Sequence, residues 1–196
     1  TKEKRERAES KGVNRRFRYT VVGIPNTGKS TIVNLLGGAK RAKTGDIAGV
    51  TRDVRWIKCA DFDLLDTPGT MPPACETQYL ARHLAYIGSL NDDILDIADV
   101  SLELLKELKE NYPAALYERY GIECGAADKT DDTDEEERTR EAVRMLETAC
   151  KRRGFILRGG EFDYDRGARA VIDDFRKGRL GKICLENPLD FSGVKF

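Results

Sequence analysis

The spacing of hydrophobic positions changes along this chain, from alternation typical of strands to the longer period of helices. Phe17-Arg18-Tyr19-Thr20-Val21-Val22 is an aromatic and β-branched run that predicts a buried strand. Val54, Trp56, Ile57 and Cys59 predict a second strand, and Phe62-Asp63-Leu64-Leu65 a third. Between the first two, Ile32, Leu35 and Leu36 follow helical spacing, and Gly37-Gly38 stops that helix. From about residue 76 onward strand signals nearly vanish. Leu80, Leu84 and Ile87 predict one helix, and Ala98, Leu102, Leu105 and Leu108 a second. Pro113 opens a short helix containing Leu116 and Tyr117, and Ala142, Met145, Leu146 and Ala149 mark one face of another. In the last helix Ala168, Val171, Ile172 and Phe175 face the core, and Arg166, Arg169, Arg176 and Lys177 form the opposite face. The expected organisation is an exposed helix end or linker over 1–13, an α/β part over 14–88, and a small all-α domain over 89–196.

The first strand and the first helix are joined by Gly23-Ile24-Pro25-Asn26-Thr27-Gly28-Lys29-Ser30, a full match to the phosphate-loop pattern G-x-x-x-x-G-K-[ST]. Two glycines let the chain bend so that several N–H groups converge on a phosphate at a helix N-terminus. Lys29 adds a point charge for the outer phosphates, and the Ser30 hydroxyl is placed for Mg²⁺. Strand, loop and helix come in the order such a loop requires. Gly49-Val50-Thr51 ends 21 residues after Ser30, and Asp66-Thr67-Pro68-Gly69 ends the third strand. Each is a weak signal alone. In this order after a phosphate loop they predict a GTPase-type switch, with Thr51 and Asp66 serving Mg²⁺ and Gly69 sensing the γ-phosphate. The N-K-x-D element that selects guanine is missing downstream. Asp128-Lys129-Thr130-Asp131 begins with the wrong residue, follows Gly125-Ala126-Ala127 instead of a strand, and reads as part of an acidic loop.

Charge and cysteine content add two constraints. Net charge is zero, but residues 1–18 carry eight basic against three acidic residues, and residues 151–182 carry ten against five. Between them, Asp128–Glu137 holds seven acids and one lysine. Two basic ends of this kind suit a phosphate backbone. Five cysteines, far apart and without C-x-x-C, argue for free thiols and against a disulfide framework or a cysteine metal site. No apolar run approaches ~18 residues, so no membrane span is expected.

Beyond the general switch motifs, several stretches resemble the bacterial RbgA/YlqF family of circularly permuted ribosome-assembly GTPases. They are Gly23–Thr31, Ala42-Lys43-Thr44-Gly45-Asp46, Gly49-Val50-Thr51 and Leu64–Gly69, followed by Asn111-Tyr112-Pro113, Leu116-Tyr117-Glu118-Arg119-Tyr120-Gly121, Gly159-Gly160 and Asp163-Tyr164-Asp165. The resemblance implies a partial, circularly permuted, Ras-like P-loop GTPase sheet followed by a small all-α, RNA-binding domain. In that family the guanine-recognition elements precede the phosphate loop, so the resemblance implies that a preceding part of the protein lies upstream of Thr1. It implies GTP or GDP contacts from Asn26, Thr27, Gly28, Lys29, Ser30, Thr31 and Gly69, and Mg²⁺ contacts from Ser30, Thr51 and Asp66. Lys29, Thr51 and Gly69 are the residues expected to act in catalysis. Asn26 resembles the asparagine that holds an activating K⁺, the other reading being an asparagine that favours a turn. Thr70 stands where Ras-like enzymes place a water-orienting glutamine, so water must be positioned from elsewhere. His83, on a helix between Leu80 and Leu84, does not match the family's histidine and is expected to be structural. Arg166, Arg169, Arg176, Lys177, Arg179 and Lys182 are the expected RNA phosphate contacts, with Arg152 and Arg153 as further candidates.

The partner so implied is a large ribosomal subunit precursor and its rRNA, in a bacterial cytoplasm or an organellar matrix, with no stable homo-oligomer. Two other readings stay open on the sequence: an RNA-binding module with an incomplete nucleotide site, and an unrelated P-loop ATPase. The chain by itself is expected to hydrolyse GTP very slowly.

Overall fold

A computed structural model describes residues 16–38, 53–71, 77–124 and 134–186. The elements are β1 (Phe17–Val21), α1 (Lys29–Gly37), β2 (Arg55–Lys58), β3 (Phe62–Asp66), α2 (Gln78–Tyr86), a 3₁₀ turn (Asp92–Ile94), α3 (Ile97–Asn111), α4 (Pro113–Tyr120), α5 (Glu135–Arg153) and α6 (Tyr164–Arg176). They divide into two compact units. The first comprises the residues up to 71 together with Gly88–Leu90, and the second holds α2 and everything from Asn91 onward.

In the first unit three strands lie in the order β1-β3-β2. β1 and β3 run parallel with Val21 opposite Asp66, and β2 pairs antiparallel to β3 with Arg55 opposite the same aspartate. A parallel pair needs a crossover, and α1 with the residues after it supplies one. The tight β2–β3 turn is held by Arg16, which donates to the carbonyls of Cys59 (2.5 Å) and Phe62 (3.2 Å). Val33, Ile57, Cys59 and Leu64 form a small core, with Val21 and Phe62 packed beside it. The inward face of α1 differs from the spacing reading. Lys29 and Val33 are its buried residues, whereas Ile32, Leu35 and Leu36 are exposed. The reason is the loop: Lys29 must point back toward the strand ends, and the residue one turn later shares its face.

The second unit is a helical bundle with one continuous core, built from Leu104, Leu105 and Leu108 of α3, Leu116 and Tyr120 of α4, Leu146 and Cys150 of α5, and Val171 and Ile172 of α6. Helix α6 approaches α5 closely enough that a Cβ on Gly167 would sit 2.2 Å from the Cys150 sulfur, so only glycine fits that crossing. Side chains cap the helices as their sequences dictate. Thr77 accepts from Leu80 at the start of α2, Asp96 from Ala98 and Asp99 at α3, Asp134 from Glu136 at α5 and Asp163 from Arg166 at α6. His83 is buried, with Nε2 3.0 Å from Glu107. Cys59, Cys124, Cys150 and Cys184 are free thiols. Among the described residues no helix is long and apolar enough to cross a membrane.

Candidate functional site

Parallel pairing of β1 and β3 brings their carboxyl ends together, and both short motifs begin there. The loop Gly23–Gly28 leaves β1, and Asp66-Thr67-Pro68-Gly69 leaves β3. Ligands in open α/β sheets bind outside the carboxyl ends of the strands. The two loops are stitched to each other. Thr67 donates its hydroxyl to the Val21 carbonyl (2.7 Å), and the Thr70 N–H donates to the Gly23 carbonyl (3.1 Å). A Cβ on Gly69 would lie 2.7 Å from the Pro25 nitrogen, so the backbone approaches too closely for any other residue.

The start of α1 is built unlike that of α2, α3, α5 and α6. Its cap is Gly28, in the left-handed conformation at φ 81°, which supplies no capping side chain. The leading turn of α1 therefore begins without a side-chain cap, at the positive end of the helix dipole. Asn26 also has a positive φ, 59°, which asparagine tolerates. Its side-chain amide donates to the Gly88 carbonyl (2.5 Å), and Ser89 donates its hydroxyl to the Pro25 carbonyl (2.7 Å). Gly88 and Ser89 thus brace the phosphate loop from 62 and 64 residues away in sequence. Sequence reading missed them, because a glycine–serine pair after a helix carries only a stop signal.

Two opposite charges lie beneath the loop. Lys29 and Asp66 are only 8% and 2% exposed. Burial pushes the Lys29 ammonium below its usual range against the pull of Asp66, and its Nζ donates to the Ile24 carbonyl at 2.5 Å. Burial pushes the Asp66 carboxyl up, against the opposing charges of Lys29 and Arg55. One Asp66 oxygen, Oδ1, is buried with no hydrogen-bond partner. A buried carboxylate oxygen left bare is costly unless something cationic meets it. A hard divalent cation taking oxygens from Asp66 and Ser30 fits this donor set, and Mg²⁺ uses one or two protein oxygens together with substrate phosphates. Among the described residues no group of three or more His, Cys, Asp or Glu could hold a metal by itself.

Of the residues predicted for the nucleotide, Asn26, Thr27, Gly28, Lys29, Ser30 and Thr31 follow one another at the loop and first turn of α1, with Gly69 packed against Pro25 and Asp66 beneath. Thr51, with Gly49 and Val50, lies outside the described residues, as do Ala42–Asp46 and Asp128–Asp131.

The predicted basic face of α6 is more heterogeneous. Arg166 lies over the Phe155 ring (4.4 Å), Arg169 pairs with Asp165 (3.4 Å) and Lys177 with Asp173 (2.7 Å). Lys182 and Arg152 are exposed and make no ion pair among the described residues. Arg176 turns inward. It donates to the Tyr86 carbonyl (3.0 Å), the Ala85 carbonyl (2.8 Å) and both oxygens of Asp92 (2.7 and 2.8 Å). It therefore supplies a donor to the Tyr86 carbonyl and a second donor to the Ala85 carbonyl at the end of α2, which commits its charge inside the bundle. Arg179 and Arg153 converge with Arg119 on the buried Asp174.

Residues 18–122 match the family described as 50S ribosome-binding GTPase. Ribosome biogenesis GTPase A of Bacillus cereus is 38% identical over 192 residues, which cover 97% of this chain and 60% of that protein. The protein of the same name from Bacillus licheniformis is 38% identical, covering 96% of this chain and 63% of its own. This chain thus spans about 60% of the length of these relatives. Among solved structures, GNP-bound YlqF from T. maritima superposes with a TM-score of 0.53 at 23% identity, covering 94% of this chain and 65% of that one. GDP-bound YlqF gives 0.56 at 24% identity, covering 95% and 67%. These likenesses show an α/β GTPase fold.

Proposed function

We propose, for a chain that belongs to the 50S ribosome-binding GTPase family, that it binds and hydrolyses GTP as part of a factor acting in assembly of the large ribosomal subunit. The observation that carries this reading is the joined pair of loops at the ends of β1 and β3, with the uncapped start of α1 above a buried, partly unsatisfied Asp66. In this reading the N–H groups from Asn26 to Thr31 and the Lys29 ammonium hold the nucleotide phosphates. Ser30, Asp66 and Thr51 hold Mg²⁺, which neutralises phosphate charge during transfer. The Gly69 N–H reports the γ-phosphate, and K⁺ bound through Asn26 is a further proposed element. The relatives' names support the ribosomal setting and, with it, a bacterial cytoplasm. The helical unit then grips rRNA through Arg166, Arg169, Lys177, Arg179 and Lys182, contacts that give affinity and salt dependence more than sequence readout. Arg176 is retained as a brace.

Titration of the intact protein, carrying the guanine-recognition elements that the family resemblance implies, with GTP and ATP in the presence of Mg²⁺ tests the reading. GTP is expected to bind more tightly than ATP, and Asp66→Asn to abolish the effect of Mg²⁺ on binding. Tighter binding of ATP, or Mg²⁺-dependence surviving Asp66→Asn, would sink it.

A further inference from the structure

Asp174 is completely buried in the last turn of α6, yet three arginines from three separate segments reach it. Arg119, in the last turn of α4, donates through Nε (2.9 Å) and Nη2 (2.9 Å). Arg153, the last residue of α5, donates through Nη2 to both carboxylate oxygens (3.0 Å each). Arg179, just beyond α6, donates through Nη1 (2.9 Å), and the Tyr120 hydroxyl adds a further bond (2.9 Å).

One carboxylate needs one guanidinium for charge balance, and a bidentate arginine with a hydroxyl would already satisfy it. Here three are gathered, and Arg179 is shared with Asp173, which also holds Lys177. The local balance is four cations against two carboxylates. Part of the excess answers the negative carboxyl ends of α4 and α5, where Arg119 and Arg153 sit. The remaining donors have no such use. Arg119 Nη1, Arg153 Nε and Nη1, and Arg179 Nε and Nη2 meet no acceptor among the described residues. The heads themselves reach solvent, with side chains 29%, 34% and 41% exposed above a carboxylate that is not exposed at all.

We infer that Arg119, Arg153 and Arg179 form a preorganised site for a backbone phosphate of RNA, with Asp174 as the positioning residue that gathers them. The inference rests on the RNA-binding reading above and assigns it a centre. Anchoring one edge of each guanidinium removes rotamer freedom before the ligand arrives, so less entropy is lost on binding. The unused Nε and Nη2 of Arg179 form a planar donor pair that matches two phosphate oxygens, and Arg119 and Arg153 add single donors beside it.

The test is binding of a labelled RNA hairpin to the whole chain across a salt series. Arg153→Gln with Arg179→Gln leaves Arg119 and Tyr120 on Asp174, and urea unfolding checks that the bundle persists. A charge-matched control, Arg144→Gln with Arg158→Gln, removes exposed arginines that pair with nothing among the described residues. The cluster variant is expected to bind about tenfold or more weakly. Its slope of log K against log salt should be shallower by about 0.7 to 0.9 units, as for one lost phosphate contact. The control should bind like the parent. Equal weakening in both variants, or an unchanged slope in the cluster variant, would overturn the inference while leaving RNA binding intact. Failure of the parent to bind the hairpin would overturn the RNA reading itself. Side-chain NMR signals of Arg153 that move as far with inorganic phosphate as with RNA would instead mark a small-anion site and overturn the assignment to a polynucleotide.

Discussion

Asp66 and Asp174 are both shut away from water, at 2% and 0% exposure, and their surroundings treat them in opposite ways. Around Asp174, burial alone would raise the carboxyl pKa. Hydrogen bonds from Arg119, Arg179 and Tyr120 and the charge of Arg153 outweigh it and hold the group at about 2. Around Asp66 the balance falls the other way: burial outweighs Lys29 and Arg55, the pKa rises, and Oδ1 has no partner. The bundle has finished satisfying its buried acid from within the protein. The sheet unit has left its acid short by an amount that a cation can make good. The difference separates an acid whose oxygens are both met by protein donors from one that keeps an oxygen unmet.

The largest effect that would break this contrast comes from neutralising each acid in turn. Asp174→Asn strands three guanidiniums and should cost about 3–5 kcal/mol in urea unfolding. Asp66→Asn should cost nothing measurable or stabilise slightly, because it removes a desolvated charge. Equal losses from the two would end the distinction. Next is Lys29→Ala, expected to weaken nucleotide binding by about 1.5–3 kcal/mol, read by titration, while the unfolding midpoint barely moves. A comparable fall in stability would show that Lys29 serves the fold. The third prediction concerns acid. The folded pKa of Asp174 lies below its unfolded value, so its contribution is present above about pH 4 and is lost as pH falls through about 2. That loss amounts to about 2 kcal/mol, visible as a stability decline that Asp174→Asn lacks. The smallest change is Ser89→Ala. Losing its bond to Pro25 should cost about 1 kcal/mol and loosen nucleotide binding by a few-fold, with no effect on RNA binding.

Much of this arrangement is legible in the sequence because it depends on local spacing. The strands at 17–21, 55–58 and 62–66 and the helices after residue 76 follow from period and punctuation, and the phosphate loop from its glycines and lysine. The burial predicted for the first strand does not hold: Arg18, Tyr19, Thr20 and Val22 are exposed. Other features depend on partners far along the chain and leave no local trace. Asp174 reads as one more acid on an amphipathic helix until Arg119, 55 residues earlier, reaches it. Arg176 belongs to the polar face by spacing, but it sits one turn after Ile172, at the border of the buried face, where the carbonyls ending α2 claim it. Ile32, Leu35 and Leu36 have helical spacing, which identifies a helix without saying which side its neighbours occupy.

Gly88–Leu90 has a consequence for anyone who would cut or exchange these units. The chain leaves the sheet unit before α2, returns for three residues to brace the phosphate loop, and departs again before the 3₁₀ turn. No single scission separates the two units cleanly. A truncation at residue 74 would yield the sheet without the strap that holds Pro25 and Asn26, and a graft of the helices onto another GTPase would carry that strap away with them. The two units are interleaved along the chain, so neither can be cut out or exchanged as one continuous piece.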